Sequence, residues 1–256
     1  MPAASQAKVL NRSAWVQQGR FTLVAVALAW VGASSAEPPP LRIVAPTNQS
    51  MPLLRMVQNK PVDGLLKDLG ELLAKRLGLS DDFLPFPSKR AARAVASGAA
   101  DLLCYVKPEW FEDKLLWTRP FLSGTGIIAA GLNAAAVVQL RDLRDERLGT
   151  VLGYRYPVLD QAFGQDVRRE DAADAETNLR RLALGRIHYA VTDRAALDHF
   201  KKMHPEPELR EVIEVEHYQL GCALSPHKAN LLQPLNRAID QILADGSLAK
   251  LLNRYR

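Results

Sequence analysis

The chain has 256 residues, 48% of them hydrophobic, with 33 basic and 28 acidic side chains and a formal net charge of +5. That length and apolar content suffice for one domain of ordinary size or for two small lobes. Lys8, Arg12 and Arg20 precede every acidic residue, so setting the first 36 residues aside leaves 30 basic against 28 acidic side chains, or +2, and nothing points to a nucleic-acid partner.

Those three cations lead into an apolar run over 21–32 and then Ala33-Ser34-Ser35-Ala36. A basic region, an apolar stretch and small residues at its end form a secretory signal peptide, so cleavage after Ala36 and a periplasmic destination are expected. Twelve apolar residues are too few to span a bilayer, and no cysteine at the junction offers a lipid anchor.

Residues 41–45 are a compact apolar run suited to a first, central strand. Thr47-Asn48-Gln49-Ser50 follow at its C-terminal end, where open α/β sheets place ligands, which makes Thr47 and Asn48 candidate binding residues; the alternative is a solvated turn. Leucines 65, 66, 69, 72, 73 and 77 recur at three- and four-residue spacing, predicting a helix over 63–77 closed by Gly78.

The stretch 83–106 reads strand, helix, glycine, strand. Its apolar run breaks at Pro85 and Pro87, Ser88 is placed as an N-cap, Ala91 and Val95 give the helix a small apolar face, and Gly98 is placed to end it with φ > 0. Asp101 then opens a second strand over 102–106. The same grammar returns at 177–193, with a threonine cap, Gly185 and an apolar strand ending at Thr192. Gly98 precedes Tyr105 by seven residues, as Gly185 precedes Thr192. Two such halves predict an α/β protein of two lobes whose strand ends face a shared cleft, with Tyr105 a candidate cleft residue. Lys89, Arg90 and Arg93 form a basic patch that reads as a solvated helix face.

Trp110 and Trp117 either line a cleft or are half-buried hydrophobes. Residues 121–132 run through Ser123-Gly124-Thr125-Gly126 as a first strand crossing between lobes. Beyond a charged segment over 137–147, a strand over 148–153 meets the turn Gly153-Tyr154-Arg155-Tyr156 and a helix over 157–163. That helix start favours an anion, with Arg155 to strengthen it, unless Arg155 is an exposed loop side chain. Asp193 sits just past the strand 187–192, placed to accept from a ligand cation, to cap the helix 194–202, or both. Runs over 209–215 and 217–224 follow, the second read as the return crossing. Helices over 231–243 and 248–255 flank a break at Asp245-Gly246.

Cys104 and Cys222 lie in apolar strand-like runs, as two buried small hydrophobes or as one bridge that export would permit. No phosphate loop, GxGxxG or GxSxG is present, and the five histidines lack metal-ligand spacing, with His188 read as structural. No cofactor, metal or catalytic group is expected from this pattern, although Glu109, Glu112 and Asp193 have the chemistry for acid–base work if they converge.

The pieces LRIVAPT, GLLKDLGELLAKRLG, RAVASGAADLL, TRPF, LGTVLGYRY, LALGRIHYAVTD and LLQPLNRAIDQILADGSLAKLLNRY, in this order, resemble the bacterial solute-binding proteins of family 3 over nearly the whole mature chain. The resemblance implies a type II periplasmic binding protein fold: lobe one over 37–125 and 220–256, lobe two over 126–219, joined by two crossing strands that hinge shut on a small polar ligand. It further implies a monomer that delivers its ligand to an ABC-type permease. The family's amino-acid binders carry a carboxylate-clamping arginine in a T-x-x-R motif. Here that segment is Lys107-Pro108-Glu109-Trp110, with no arginine before Arg119, so Arg155, Lys107 or Arg90 would have to replace it. Asp193 matches the position that meets the ligand's amino group, and Gly153 matches the second-lobe anion turn, with Tyr154-Arg155 where small hydroxyl residues are common. Two other readings fit the same scaffold: a periplasmic enzyme resembling cyclohexadienyl dehydratases, and an orphan sensor or accessory binding protein.

Overall fold

The computed structural model describes residues 38–255; the expected signal peptide and its cleavage site lie outside them. In chain order the strands are β1 Leu41–Pro46, β2 Arg55–Val57, β3 Lys60–Asp63, β4 Asp81–Phe86, β5 Leu102–Val106, β6 Leu116–Trp117, β7 Leu122–Ala130, β8 Arg147–Val151, β9 Arg168–Ala172, β10 Tyr189–Asp193 and β11 Arg210–Leu224. The helices are α1 Leu65–Leu77, α2 Ser88–Ala96, α3 Pro157–Phe163, α4 Ala175–Ala183, α5 Arg194–Met203, α6 Leu232–Ala244 and α7 Ser247–Arg254.

The strands follow one path, β4-β1-β5-β11-β7-β10-β8-β9, with β6 pairing β11. β1 lies between β4 and β5, as expected of a central strand. β4 continues through Pro85 instead of breaking there, because an edge strand does not need that residue's missing N–H. The antiparallel pair β7–β11 carries the path from one lobe to the other: β11 pairs β5 over Gly221–Leu224, and β7 pairs β10 over Gly126–Ala130. β11 is a single 15-residue strand, where the sequence predicts two runs.

Each lobe buries an apolar layer on both faces of its strands, the arrangement of an α/β sheet. In the first, Ile43 packs with Leu69 and Leu73 of α1, Ile239 and Ile242 of α6 and Leu248 of α7, while Val44 and Leu103 face Ala91 and Val95 of α2. In the second, Ile127 and Ala129 pack on Leu179 and Leu182 of α4 and Leu197 and Phe200 of α5, while Ile128 and Leu148 face Leu159 and Phe163 of α3. Gly98 and Gly185 take φ of +78° and +66° beyond the ends of α2 and α4, as their placement predicts.

The predicted caps shift by one element of logic. Ser88 is the first residue of α2 rather than its cap, and its N–H donates to Asn48 Oδ1 at 3.0 Å. Thr177 lies inside α4, and Asp174 is the cap, accepting from the Thr177 N–H at 2.7 Å. The hairpin β2–β3, not predicted, turns on Gln58 and Asn59, both left-handed, without the usual Asn-Gly signal.

Cys104 and Cys222 oppose each other in the β5–β11 register and are disulfide-bonded, with Cα atoms 4.0 Å apart. Asp101, which opens β5, is buried and accepts from the Arg42 backbone N–H at 3.0 Å and from its guanidinium at 2.6 Å. Burial would push this carboxyl up, but the Arg42 hydrogen bonds outweigh it and hold it below the usual aspartate value.

Two outcomes follow from these ties. Replacing both cysteines by alanine lowers unfolding free energy by about 2–5 kcal/mol in denaturant titration, and an unchanged midpoint would contradict the bridge's role. Asp101→Ala costs about 1–3 kcal/mol by leaving the Arg42 backbone N–H unsatisfied and its guanidinium with only the Gly98 and Ala99 carbonyls. Because the Asp101 carboxyl is depressed, its contribution is full above the ordinary aspartate range and fades as pH falls through the lower folded value. The stability gap between Asp101→Asn and the parent therefore narrows in acid, as pH-dependent melting will read.

Candidate functional site

Between the lobes lies a cleft of about 850 Å³. Its walls come from the ends of β1 and β5, the start of α2, the segment following β5, the turn after β8, the end of β10 and the middle of β11. The doubled strand–helix–glycine–strand units thus bring their strand ends to one place, as the sequence predicts.

Asp193 is the chemical centre of this cleft. It ends β10 and caps α5, with Oδ1 accepting from the Ala195 N–H at 2.9 Å. Its Oδ2 accepts from the Tyr105 hydroxyl at 3.1 Å and from the Tyr218 hydroxyl. Burial pushes the Asp193 carboxyl above the usual aspartate value, and the bonds from Tyr218, Ala195 and Tyr105 only partly offset this. Burial, reinforced by the Asp193 charge, also pushes both tyrosine hydroxyls up, so they remain protonated donors. Beside it, the Thr192 hydroxyl is buried, lines the cleft and has no hydrogen-bond partner among the described residues.

Local backbone choices make room for this arrangement. Tyr105 has φ +64°, a left-handed conformation that costs a non-glycine residue on the order of 1–3 kcal/mol. Gly124, opposite Tyr218 in the β7–β11 register, admits its ring, since a Cβ at 124 would lie 2.3 Å from the Tyr218 ring and 3.0 Å from the Tyr105 hydroxyl.

Lys107 is buried next to this centre. Its ammonium pairs with Glu216 and lies 5.6 Å from the Trp110 ring centroid and 5.7 Å from that of Tyr218. The two rings meet edge-on at 5.5 Å. Trp117 instead stacks on Phe111 with ring centroids 6.1 Å apart.

The turn after β8 closes the opposite wall. Gly153, at φ +84°, packs against the stem of Lys89, and burial pushes the hydroxyl of Tyr154 beside it up. Asn48 Nδ2 donates to the Leu152 carbonyl at 3.2 Å while its Oδ1 accepts from the Ser88 hydroxyl at 2.6 Å. Arg155 pairs with Glu112 at 2.8 Å, although both are exposed. Deeper, Arg169 pairs with Asp171 at 2.9 Å and stacks its guanidinium 5.1 Å from the Tyr156 ring, whose hydroxyl burial pushes up to about 12.

Of the residues singled out in the sequence, Tyr105, Trp110, Tyr154, Arg155 and Asp193 line the cleft. Asn48 and Lys107 stand behind its wall and hold other residues in place. Thr47 is exposed, with its N–H bonded to the Phe86 carbonyl at 3.0 Å, and Arg90 is exposed on α2; neither lines the cleft, because Arg90 belongs to the solvated helix face. Glu112 reaches the cleft, and Glu109 does not line it. The sequence reading missed Tyr218, Glu216, Arg169 and Asp171. The Gly124/Gly126 pair on one crossing strand was the available sign that a bulky side chain sits opposite.

Residues 43–256 match the bacterial extracellular solute-binding proteins, family 3. Over 198 residues the chain is 26% identical to the L-cystine-binding protein TcyJ of Escherichia coli K12, covering 75% of this chain and 73% of that protein. Among solved structures, an ancestral arginine-binding protein bound to glutamine superposes with a TM-score of 0.73 at 21% identity, covering 85% of this chain and 98% of that one. AncCDT-1, an ancestral amino acid-binding protein and precursor of cyclohexadienyl dehydratase, gives a TM-score of 0.72 at 22% identity over 84% of this chain and 95% of that one. The two-lobed α/β architecture is accordingly that of the type II periplasmic binding proteins. The chain belongs to the bacterial extracellular solute-binding proteins of family 3.

Proposed function

We propose that this solute-binding protein closes its lobes on a small polar ligand bearing an amino group, an amino acid or a related amine. The observation that carries this reading is the half-buried Asp193 carboxylate, which faces the cleft and is fixed by donors from two strands and a helix start. Relatives that bind cystine and arginine support the ligand class, since both molecules carry an α-ammonium. Asp193 would receive the ligand's ammonium, Tyr105, Trp110 and Tyr154 would line its body, and Arg155 would sit at the mouth. Lobe one would comprise 37–125 and 220–256 and lobe two 126–219, a division supported by the pairing switches at Gly126 and Gly221.

The family setting supports export by the basic and apolar leader with cleavage after Ala36, action as a monomer, and delivery to an ABC-type permease. No helix among the described residues is long and apolar enough to cross a membrane. A periplasmic enzyme on this scaffold would need a cleft carboxyl with a raised pKa, which Asp193 supplies. Its oxygens, however, are engaged by a helix cap and two tyrosines, which suits holding a charge better than moving a proton.

Thermal-shift screening of the exported, purified protein against amino acids, amines, organic acids and sugars tests this directly. A true ligand at a hundred times its Kd adds about 2.7 kcal/mol of stability. The ligand is recovered unchanged after incubation; turnover of prephenate-like acids would replace binding by catalysis, and silence across the panel would remove the reading. Affinity also falls on acidification. An ammonium needs the ionised carboxylate, and with Asp193 raised above 3.8 the loss sets in at a higher pH than for an ordinary aspartate. A pH-independent Kd down to that range contradicts the role given to Asp193.

A further inference from the structure

We infer that the cleft selects an organic monocation, an amine with an apolar body and no carboxylate, rather than a free α-amino acid. This inference rests on the reading of Asp193 as the acceptor of the ligand's ammonium and narrows it.

Charge pairing inside the cleft carries the argument. An α-amino acid needs an anion acceptor and a cation donor, and the donor must have charge to spare. Arg169 is compensated by Asp171 at 2.9 Å, and Arg155, exposed in water, is paired with the equally exposed Glu112 at 2.8 Å. Lys107 is compensated by Glu216 and further engaged by the Trp110 and Tyr218 rings. Each of these three basic groups therefore arrives with its own carboxylate. Asp193 differs: its hydrogen-bond donors are two hydroxyls and one backbone N–H, and the nearby Arg194 charge is itself paired with Glu211 and Glu214. Asp113, which also lines the cleft without a paired cation among the described residues, is exposed. An ionised carboxylate offers about four acceptor positions, and three are used here, leaving one for an incoming N–H donor. The upward push on the Asp193 carboxyl comes from burial, which its three hydrogen bonds and the nearby Arg194 charge do not fully offset.

The remaining wall suits the rest of such a molecule. Trp110, Tyr154, Tyr156 and Tyr218 give aromatic surface, and Leu53 and Ala196 give aliphatic surface. The unpartnered, buried Thr192 hydroxyl is a neutral hydrogen-bonding group waiting for a polar atom, and it needs no charge opposite. Lys89 lines the cleft without a carboxylate partner among the described residues, but it is exposed and its stem is packed against Gly153. In water an exposed ammonium gives a carboxylate little net attraction.

Matched pairs that differ only by the carboxylate decide the matter: phenethylamine against phenylalanine, tyramine against tyrosine, and isoamylamine against leucine. Each is titrated calorimetrically into the exported protein and into Asp193→Asn, which keeps a competent helix cap. The expected result is that at least one amine binds ten times or more tighter than its amino acid, and that Asp193→Asn loses this binding while its circular dichroism is unchanged. An amino acid that binds as tightly as its amine overturns the inference and leaves the broader function standing. Lys89→Ala and Arg169→Ala would then show which cation clamps the carboxylate. Failure of every amine and amino acid, with a sugar or a neutral solute binding instead, overturns both this inference and the amine-ligand reading.

Discussion

A single carboxylate ties the three mechanical parts of this protein together. Asp193 belongs to the second lobe and starts its helix α5; Tyr105 reaches it from the first lobe, and Tyr218 from a crossing strand. Such charge-assisted bonds are about twice as strong as neutral ones, and they act where burial makes an unsatisfied charge costly. The surrounding irregularities become intelligible from this junction. Tyr105 adopts a left-handed backbone one residue before the end of a wholly buried strand, and the crossing strand carries glycine opposite Tyr218. Both features cost stability or strand propensity in isolation, and both let a hydroxyl reach the same oxygen.

Around that junction the lobes meet through polar contacts that need no ligand atom to make sense chemically. Asn48 holds the start of α2 with one end of its amide and a carbonyl of the second lobe with the other. Gly153 lets the turn after β8 approach Lys89 closely. Lys107 behind the wall and Arg169 in it are each paired with a carboxylate, Glu216 and Asp171. The cleft thus combines two antiparallel crossing strands with a central carboxylate held by neutral donors.

Much of this was legible in the sequence where local chemistry decides the structure. The leucine spacing of α1, the glycines after α2 and α4, and the apolar runs of β1, β5 and β10 all state their roles within a few residues. Asp193 was legible for the same reason, since a carboxylate between a strand and a helix has few places to go. What was not legible depended on partners distant in sequence. Tyr218 reads as an ordinary strand residue until Gly124 is placed opposite it, and Arg169 as one of many surface arginines until Asp171 and Tyr156 surround it. Arg90 misled because a helix start near a cleft exposes some side chains away from it. Ser88 misled because an amide forty residues earlier supplied the cap. The disulfide waited on register, which placed Cys104 opposite Cys222.

The most direct measurement is a crystal structure of the exported protein bound to whichever amine or amino acid binds most tightly. The account predicts the ligand between the lobes, with its ammonium nitrogen at about 2.7–2.9 Å from an Asp193 oxygen and its body against Trp110 and Tyr154. A ligand bound outside the cleft, or inside it with Asp193 left to its tyrosines alone, would contradict the account.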